Sequence, residues 1–261
     1  MPSALHIARS GLEALDARLR TISNNLANAN TVGFKRDRLA FETLMYQTAR
    51  PGGAPAGADA RFGMGLASGA GVRVAGTERV HSQGDYSVTG NALDLAIDGE
   101  GLFQVALPDG SYAYTRAGAF TRDSEGRMVT PQGHAVEPPI QIPEGATQIA
   151  IASEGTLSAM LPGETAPTEL GRLSLSTFIN PAGLEPAGEN LFRESAASGA
   201  PQQANPGENG VGKIRQGSLE ISNVSAVQEL VDMIETQRAY EINSKVISAA
   251  DEMMRYVNQS L

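Results

Sequence analysis

The two ends of this chain carry helical periodicity and its middle does not. That contrast limits the folds open to it more than any single motif. Near the N-terminus the apolar residues Leu5, Ala8, Leu12, Leu15, Leu19, Ile22, Leu26 and Ala29 recur in alternating steps of three and four. This is an unbroken heptad seam, the pattern of a helix that buries one narrow stripe. Pro2 suits the first turn of such a helix, and Asn28, Asn30 and Gly33 suit its end. A helix of that extent is about 40 Å long at 1.5 Å per residue, and so narrow a seam wants one or two partner helices.

The other end matches it. From Leu219 to Leu261 there is neither Gly nor Pro, and Ser225 followed by Gln228 has the spacing of a capping box. At about 100° per residue the apolar face changes direction along this helix. Val224, Val227, Leu230, Val231 and Ile234 form one face. Ala239, Ile242, Val246, Ile247, Ala250, Met253, Met254 and Val257 form a second, displaced by roughly half a turn, with Glu235 to Arg238 as the crossover. A straight helix of this kind faces different neighbours along its length. A kink is the plainer alternative, though no Gly or Pro favours one. Helices like these draw most of their stability from packing partners. Either the two close on each other as a hairpin, or other subunits complete their seams.

Between the ends the pattern is β. Apolar runs at Leu102 to Leu107, Gln148 to Ala152 and Leu170 to Ile179 are separated by turn signals. Those signals are Asp109-Gly110, Glu125-Gly126, Gln132-Gly133, Pro143-Glu144-Gly145, Glu154-Gly155 and Pro162-Gly163. Pro51 to Gly71 is mostly Gly, Ala and Pro, which cannot bury a core alone, and Ser195 to Gly210 is similarly polar and Pro/Gly-rich. The expected class is α+β, with the terminal helices paired in a coiled-coil-like domain (residues 1–36 and 215–261). A Gly/Ala/Pro-rich connecting segment (37–80) and a central all-β domain (81–214) complete the chain.

Composition narrows the chemistry. Twenty basic against 29 acidic residues give a net charge of −9, which leaves no basic footprint for nucleic acid. There is no Cys, which excludes disulfides and thiolate chemistry, and no Trp to build a stacking platform. His6, His81 and His134 lie far apart without metal-ligand spacing, so surface or structural roles are expected of them. No HExxH, GxSxG or GxGxxG occurs. Asp98-Gly-Glu-Gly101 and Asp123-Ser-Glu-Gly126 lack the alternating ligands of a calcium loop and read as tight turns. No catalytic, cofactor or metal residue is expected. A hydrolase would need paired carboxylates in a cleft, and a β-domain binding module would leave the terminal seams unexplained. No run of about 18 apolar residues is present, and the N-terminus lacks the apolar block of a secretory signal.

The residues expected to matter therefore pack subunits. They are Leu5, Leu12, Leu15, Leu19, Ile22 and Leu26 on the first helix, meeting Ile242, Val246, Ala250, Met253 and Val257 on the last, with Ile247 and Met254 on that same second face. Val227, Leu230, Val231 and Ile234 are assigned to a different neighbour, with Tyr240 beside them, and Asn24, Asn25 and Asn28 to a polar lock at the end of the first helix.

Four motifs carry a family resemblance. Ile22-Ser-Asn-Asn-Leu-Ala-Asn-Ala-Asn-Thr-Val-Gly-Phe-Lys-Arg36 and Glu235-Thr-Gln-Arg-Ala-Tyr-Glu-Ile-Asn-Ser-Lys245 resemble the N- and C-terminal signatures of the bacterial flagellar rod and hook family. Asp94-Leu-Ala-Ile-Asp-Gly-Glu-Gly-Leu-Phe-Gln-Val105 and Tyr114-Thr-Arg-Ala-Gly-Ala-Phe-Thr-Arg122 resemble its β domain. The chain is short for a hook subunit, which has a further outer β domain. The tract from Tyr46 to Leu66, with Thr77-Glu-Arg-Val-His-Ser-Gln-Gly84, looks like the family's distal-rod type. A proximal rod subunit is the alternative within the family.

The resemblance implies export through the flagellum's own type III apparatus without a cleaved signal, and self-assembly in the periplasm into a hollow helical tube. Its implied neighbours are proximal rod subunits, the hook protein, and the peptidoglycan and lipopolysaccharide ring proteins.

Overall fold

The computed structural model describes residues 2–53, 55, 63–146, 148–163 and 166–259, with the side chains of 2–4, 257 and 258 outside the described set. Helices α1 (Pro2–Ala27) and α2 (Ala226–Gln259) stand at the two ends, and strands and turns make up nearly all the rest, so the chain is α+β. The last helix starts directly after Ser225, whose carbonyl accepts the Glu229 N–H at 3.0 Å. It runs unbroken through the stretch where its apolar face changes direction.

Two compact units emerge. One comprises Met1–Leu26, Asp37–Glu78 and Ser225–Leu261, and the other Ala27–Arg36 and Arg79–Val224. These limits depart from those drawn on composition, for reasons visible in the backbone. Residues 215–224 belong to the β unit because Lys213–Gln216 pairs antiparallel with Leu95–Asp98, and Ser218–Glu220 with Tyr86–Val88. Residues 27–36 join it through bonds such as Gly33 N–H to the Glu220 carbonyl, 2.8 Å.

The segment from residue 37 to 80 is no free linker. Asp37–Thr43 pairs with Val72–Arg79 and Gln47–Arg50 with Leu66–Ser68, making a long hairpin that groups with the helices. Residues 54 and 56–62, in the Gly/Ala/Pro-rich tract, lie outside the described residues.

The β unit is built on a nine-stranded antiparallel sheet. At its centre Leu102–Ala106 pairs with Tyr112–Thr115 on one side and with Ala135–Glu137 and Leu175–Thr177 on the other. A three-stranded sheet of Gln148–Ile151, Thr156–Met160 and Thr168–Arg172 packs beside it. Leu95, Ile97, Phe103, Leu157, Leu173 and Leu175 have no solvent exposure in this core, and the Phe103 and Phe120 rings meet edge to face at 5.1 Å. Burying each such side chain stabilises the fold by about 1.5–3 kcal/mol.

All six expected turns form, and each turns on a glycine with positive φ, from 79° at Gly110 to 94° at Gly163. The expected run Leu170 to Ile179 splits into two strands around Leu173, whose N–H bonds to the Gly155 carbonyl at 2.8 Å.

Candidate assembly surfaces

Within the helical unit α1 and α2 touch at two described places. Asn25 Nδ2 donates to Glu229 Oε2 at 3.3 Å, and a Cβ on Gly11 would stand 2.6 Å from Asn243 Nδ2. From Asn25 to Gly11 and from Glu229 to Asn243 the chain steps 14 residues in opposite directions, so the helices are antiparallel. The missing side chain at Gly11 is what leaves room for the Asn243 amide.

On α2 the residues at least half turned inward are Glu229, Asp232, Met233, Thr236, Ala239, Asn243, Ile247, Ala250 and Met254. Their heptad steps make one stripe along the whole helix. Val227, Leu230, Val231, Ile234, Ile242, Val246 and Met253 are all exposed, by 45% to 74%, on the side about half a turn away. The second face read from the periodicity thus divides. Ile247, Ala250 and Met254 turn toward the interior of this unit, whereas Ile242, Val246 and Met253 continue the outward stripe that begins at Val227. Within the single chain those three do not pack on α1, because a straight helix keeps one side to its partner. Tyr240 is exposed at 40%, and the Val257 side chain lies outside the described residues.

The buried residues of α1 are Ala8, Ser10, Ala14, Ile22 and Asn25. Their mean direction is roughly a quarter turn from the leucine seam. Leu5, Leu12, Leu15, Leu19 and Leu26 are consequently only half-buried. The hairpin covers part of this helix: Ser10 Oγ accepts the Val72 N–H at 3.3 Å. Along the hairpin Phe41, Met45, Tyr46, Met64 and Leu66 are exposed.

The asparagine tract is hydrogen-bonded to the residues that follow the helix. Asn25 is buried, donates to the Asp37 carbonyl and accepts the Asp37 N–H, both at 2.9 Å. Asn24 lies 3.5 Å from the Asp37 carboxylate, and the Asn28 side chain accepts from Thr31 at 3.1 Å.

The β unit holds a second polar cluster that periodicity does not announce. Glu220 has no solvent exposure and accepts from Lys35 Nζ at 2.5 Å, Arg116 Nε at 2.5 Å and the Gly84 N–H at 2.9 Å. Arg116 also donates to the carbonyls of Ile97, Gly99 and Gly101 at 2.5–2.8 Å, and Lys35 to that of Ser82 at 2.7 Å. Burial alone would raise the Glu220 carboxyl, but Arg116, the Gly84 N–H and Lys35 outweigh it and hold it below the usual range. Burial pushes the Lys35 ammonium down, further lowered by Arg116 and only partly offset by Glu220. His81 stands beside them, its pKa lowered to about 4 by burial first and then by Lys35, Arg79 and Arg116. It is therefore neutral at pH 7, and its Nε2 is buried without a hydrogen-bond partner among the described residues.

Comparison with known proteins decides the family. Residues 5–35 match the family described as flagella basal body rod protein, 96–159 the flagellar hook protein FlgE/F/G D1 domain, and 215–260 the flagellar basal body rod FlgEFG protein C-terminal region. The chain is 49% identical to the flagellar basal-body rod protein FlgG of Buchnera aphidicola from Acyrthosiphon pisum, over 99% of its own length and 100% of that protein's. It belongs to the flagellar basal-body rod family. Within that rod family it is 45% identical to FlgG of Caulobacter vibrioides and 33% to FlgF of the same organism, over 98% of its length in both cases.

The three rod-family segments meet in the ionic cluster. Lys35 closes the first, Arg116 lies in the second and Glu220 in the third. Sequence reading quoted Lys35 and Arg116 within motifs but assigned them no role, and passed over Glu220. A carboxylate on a strand just before a helix carries no local mark, so only the fold reveals it.

Proposed function

We propose that this chain is the structural subunit of the distal rod, the drive shaft of the flagellum, and works by polymerising rather than by catalysis. In this reading it is exported through the type III apparatus and adds to the growing rod in the periplasm. Terminal helices of successive copies pack coiled-coil-like into a coaxial inner layer, and β units form the outer wall. The tube passes torque from motor to hook, turns within the peptidoglycan and lipopolysaccharide rings, and leaves a bore for later export substrates. Proximal rod subunits and the hook protein would be its axial neighbours.

The observation that carries this is the outward stripe of α2. Seven large apolar side chains along one helix are exposed in the single chain, and such a stripe marks a surface awaiting a partner. A β-domain binding module or hydrolase would have no use for it. Likeness to FlgG at 45–49%, against 33% for FlgF, supports the distal rather than the proximal position.

The test is complementation of a strain lacking its own copy. Val246→Asp and Leu15→Asp place a charge where a neighbour would bury it, at a cost of several kcal/mol per subunit. Electron micrographs of basal bodies should show rods that stop short, and swarming should be lost. Normal rods and normal swarming from both variants would sink the reading.

A further inference from the structure

The ionic cluster of the β unit is out of balance, and a cavity opens beside it. Lys35 and Arg116 bring two positive charges to the single carboxylate of Glu220. Of the three N–H groups on Lys35 Nζ, two are used, on the Ser82 carbonyl and on Glu220. Of the five on the Arg116 guanidinium, four are used, on Glu220 and the carbonyls of Ile97, Gly99 and Gly101. One N–H on each cation is thus left without an acceptor among the described residues. Both cations line a cavity of about 260 Å³. Its wall includes Leu102, Phe178 and Pro181, with Ser176 and Thr177 beside them. The remaining charged lining residue, Glu100, is exposed to solvent.

We infer that this cavity is a binding site for a carboxylate on a short hydrocarbon stem. A carboxylate brings the one negative charge the cluster lacks and two acceptor oxygens for the two spare N–H groups. The stem lies against Leu102, Phe178 and Pro181. The volume is far larger than a single halide needs and accommodates an acidic side chain or a small free acid. The chemistry is shared by two sources. One is an acidic side chain of a neighbouring copy, whose 29 acidic residues exceed its 20 basic ones. The other is a free small acid. The binding site itself does not depend on the rod reading, whereas the first source does.

The full-length monomer, isotope-labelled, is titrated with glutarate and in parallel with its neutral isostere glutaramide, following the backbone amides of Gly101 and Thr177 and the Arg116 Nε–H. Glutarate should give saturable shifts at all three, and glutaramide should give none. Thr177→Phe, which adds bulk at the cavity wall and leaves both cations in the sequence, should abolish the glutarate shifts while the remaining spectrum stays folded. No saturable shift, an equal response to glutaramide, or undiminished binding in Thr177→Phe would each overturn the site.

A photo-crosslinking residue at position 177 then separates the sources. A subunit-to-subunit crosslink in isolated rods assigns the carboxylate to a neighbour, and its absence despite glutarate binding assigns a free acid. Failure of the chain to form rods at all would count against the proposed function and leave the monomer titration decisive for the site.

Discussion

The two compact units differ in how far they satisfy themselves. In the β unit the large apolar side chains meet one another, and Phe103, Leu157, Leu173 and Leu175 have at most 0% exposure. Even its charges are taken inside, with Lys35 and Glu220 exposed by 2% and 0%. In the helical unit the inward stripe of α2 includes Glu229, Thr236 and Asn243, while Val227 and Ile242 face outward at 74% and 64% exposure. Polar groups share the inward side with Met233, Ile247 and Met254 while large apolar groups stand in solvent, which departs from the usual order for a surface helix. The difference teaches that one unit buries its large apolar side chains within the single chain and the other leaves a row of them exposed, which on the proposed function neighbouring copies would cover.

The largest way to test that contrast is to break the β unit from within. Glu220→Ala removes the carboxylate that Lys35 and Arg116 share and leaves both buried cations without that counter-ion. Removing one member of a buried ion pair costs about 3–5 kcal/mol. Urea unfolding of the full chain, followed by a probe in the β unit, should show the midpoint fall accordingly. A midpoint within error of the unaltered chain would mean the cluster is not what holds residues 27–36 and 218–224 to this unit.

That cluster also marks the limit of what the amino-acid sequence discloses. The six turns from Asp109-Gly110 to Pro162-Gly163 were legible because a turn needing positive φ advertises itself through a local glycine. The extents of both helices were legible because periodicity and caps are local as well. Glu220 lies 185 positions from Lys35 and 104 from Arg116, and no local pattern connects them. The packing faces fall between these cases. Heptad spacing singled out Leu15, Ile22, Ile242 and Val246, yet within the chain only Ile22 is buried, since spacing does not say which side a neighbour covers. In α1 the small residues Ala8, Ser10 and Ala14 are buried and the leucines only half so, because the covered side of the helix lies roughly a quarter turn from the leucine seam. The Gly/Ala/Pro composition of Pro51 to Gly71 suggested a linker, because pairing of its flanks into a hairpin depends on hydrogen bonds rather than on side-chain pattern.

A smaller effect sharpens the comparison through pH. The folded-state pKa of His81 is about 4, below its ordinary 6.5. Below pH 6.5 the unfolded chain takes up a proton that the folded chain refuses. The stability gained from keeping His81 neutral is therefore full above about pH 6.5, declines as pH falls toward 4, and levels off below that. The Glu220 carboxyl, held below its usual range, adds a loss that begins only as pH falls below about 4.5. Between pH 7 and 5, then, the unaltered chain should lose more stability than His81→Gln, as read by urea midpoints at each pH. Parallel slopes for the two chains would show that the ring titrates in the fold as it does in the unfolded chain.

The smallest expected change in stability is the most discriminating. Ile242 is large and apolar, and in a self-sufficient unit Ile242→Ser would remove buried surface at a cost of about 2–5 kcal/mol, the range for truncating a core side chain. On the outward stripe it is 64% exposed, and a surface substitution of this kind shifts stability by no more than about 0.5 kcal/mol. The monomer should therefore unfold at an unchanged urea midpoint. Assembly should respond in the opposite sense, because the same side chain is buried in every copy once neighbours cover it, and a small penalty per subunit is repeated along the polymer. The concentration at which the chain begins to sediment as polymer should rise, while the monomer signal in dilute solution stays as it was. A matched fall in both monomer stability and assembly would mean that Ile242 packs within its own chain, and the contrast between the two units would then be one of degree rather than of kind.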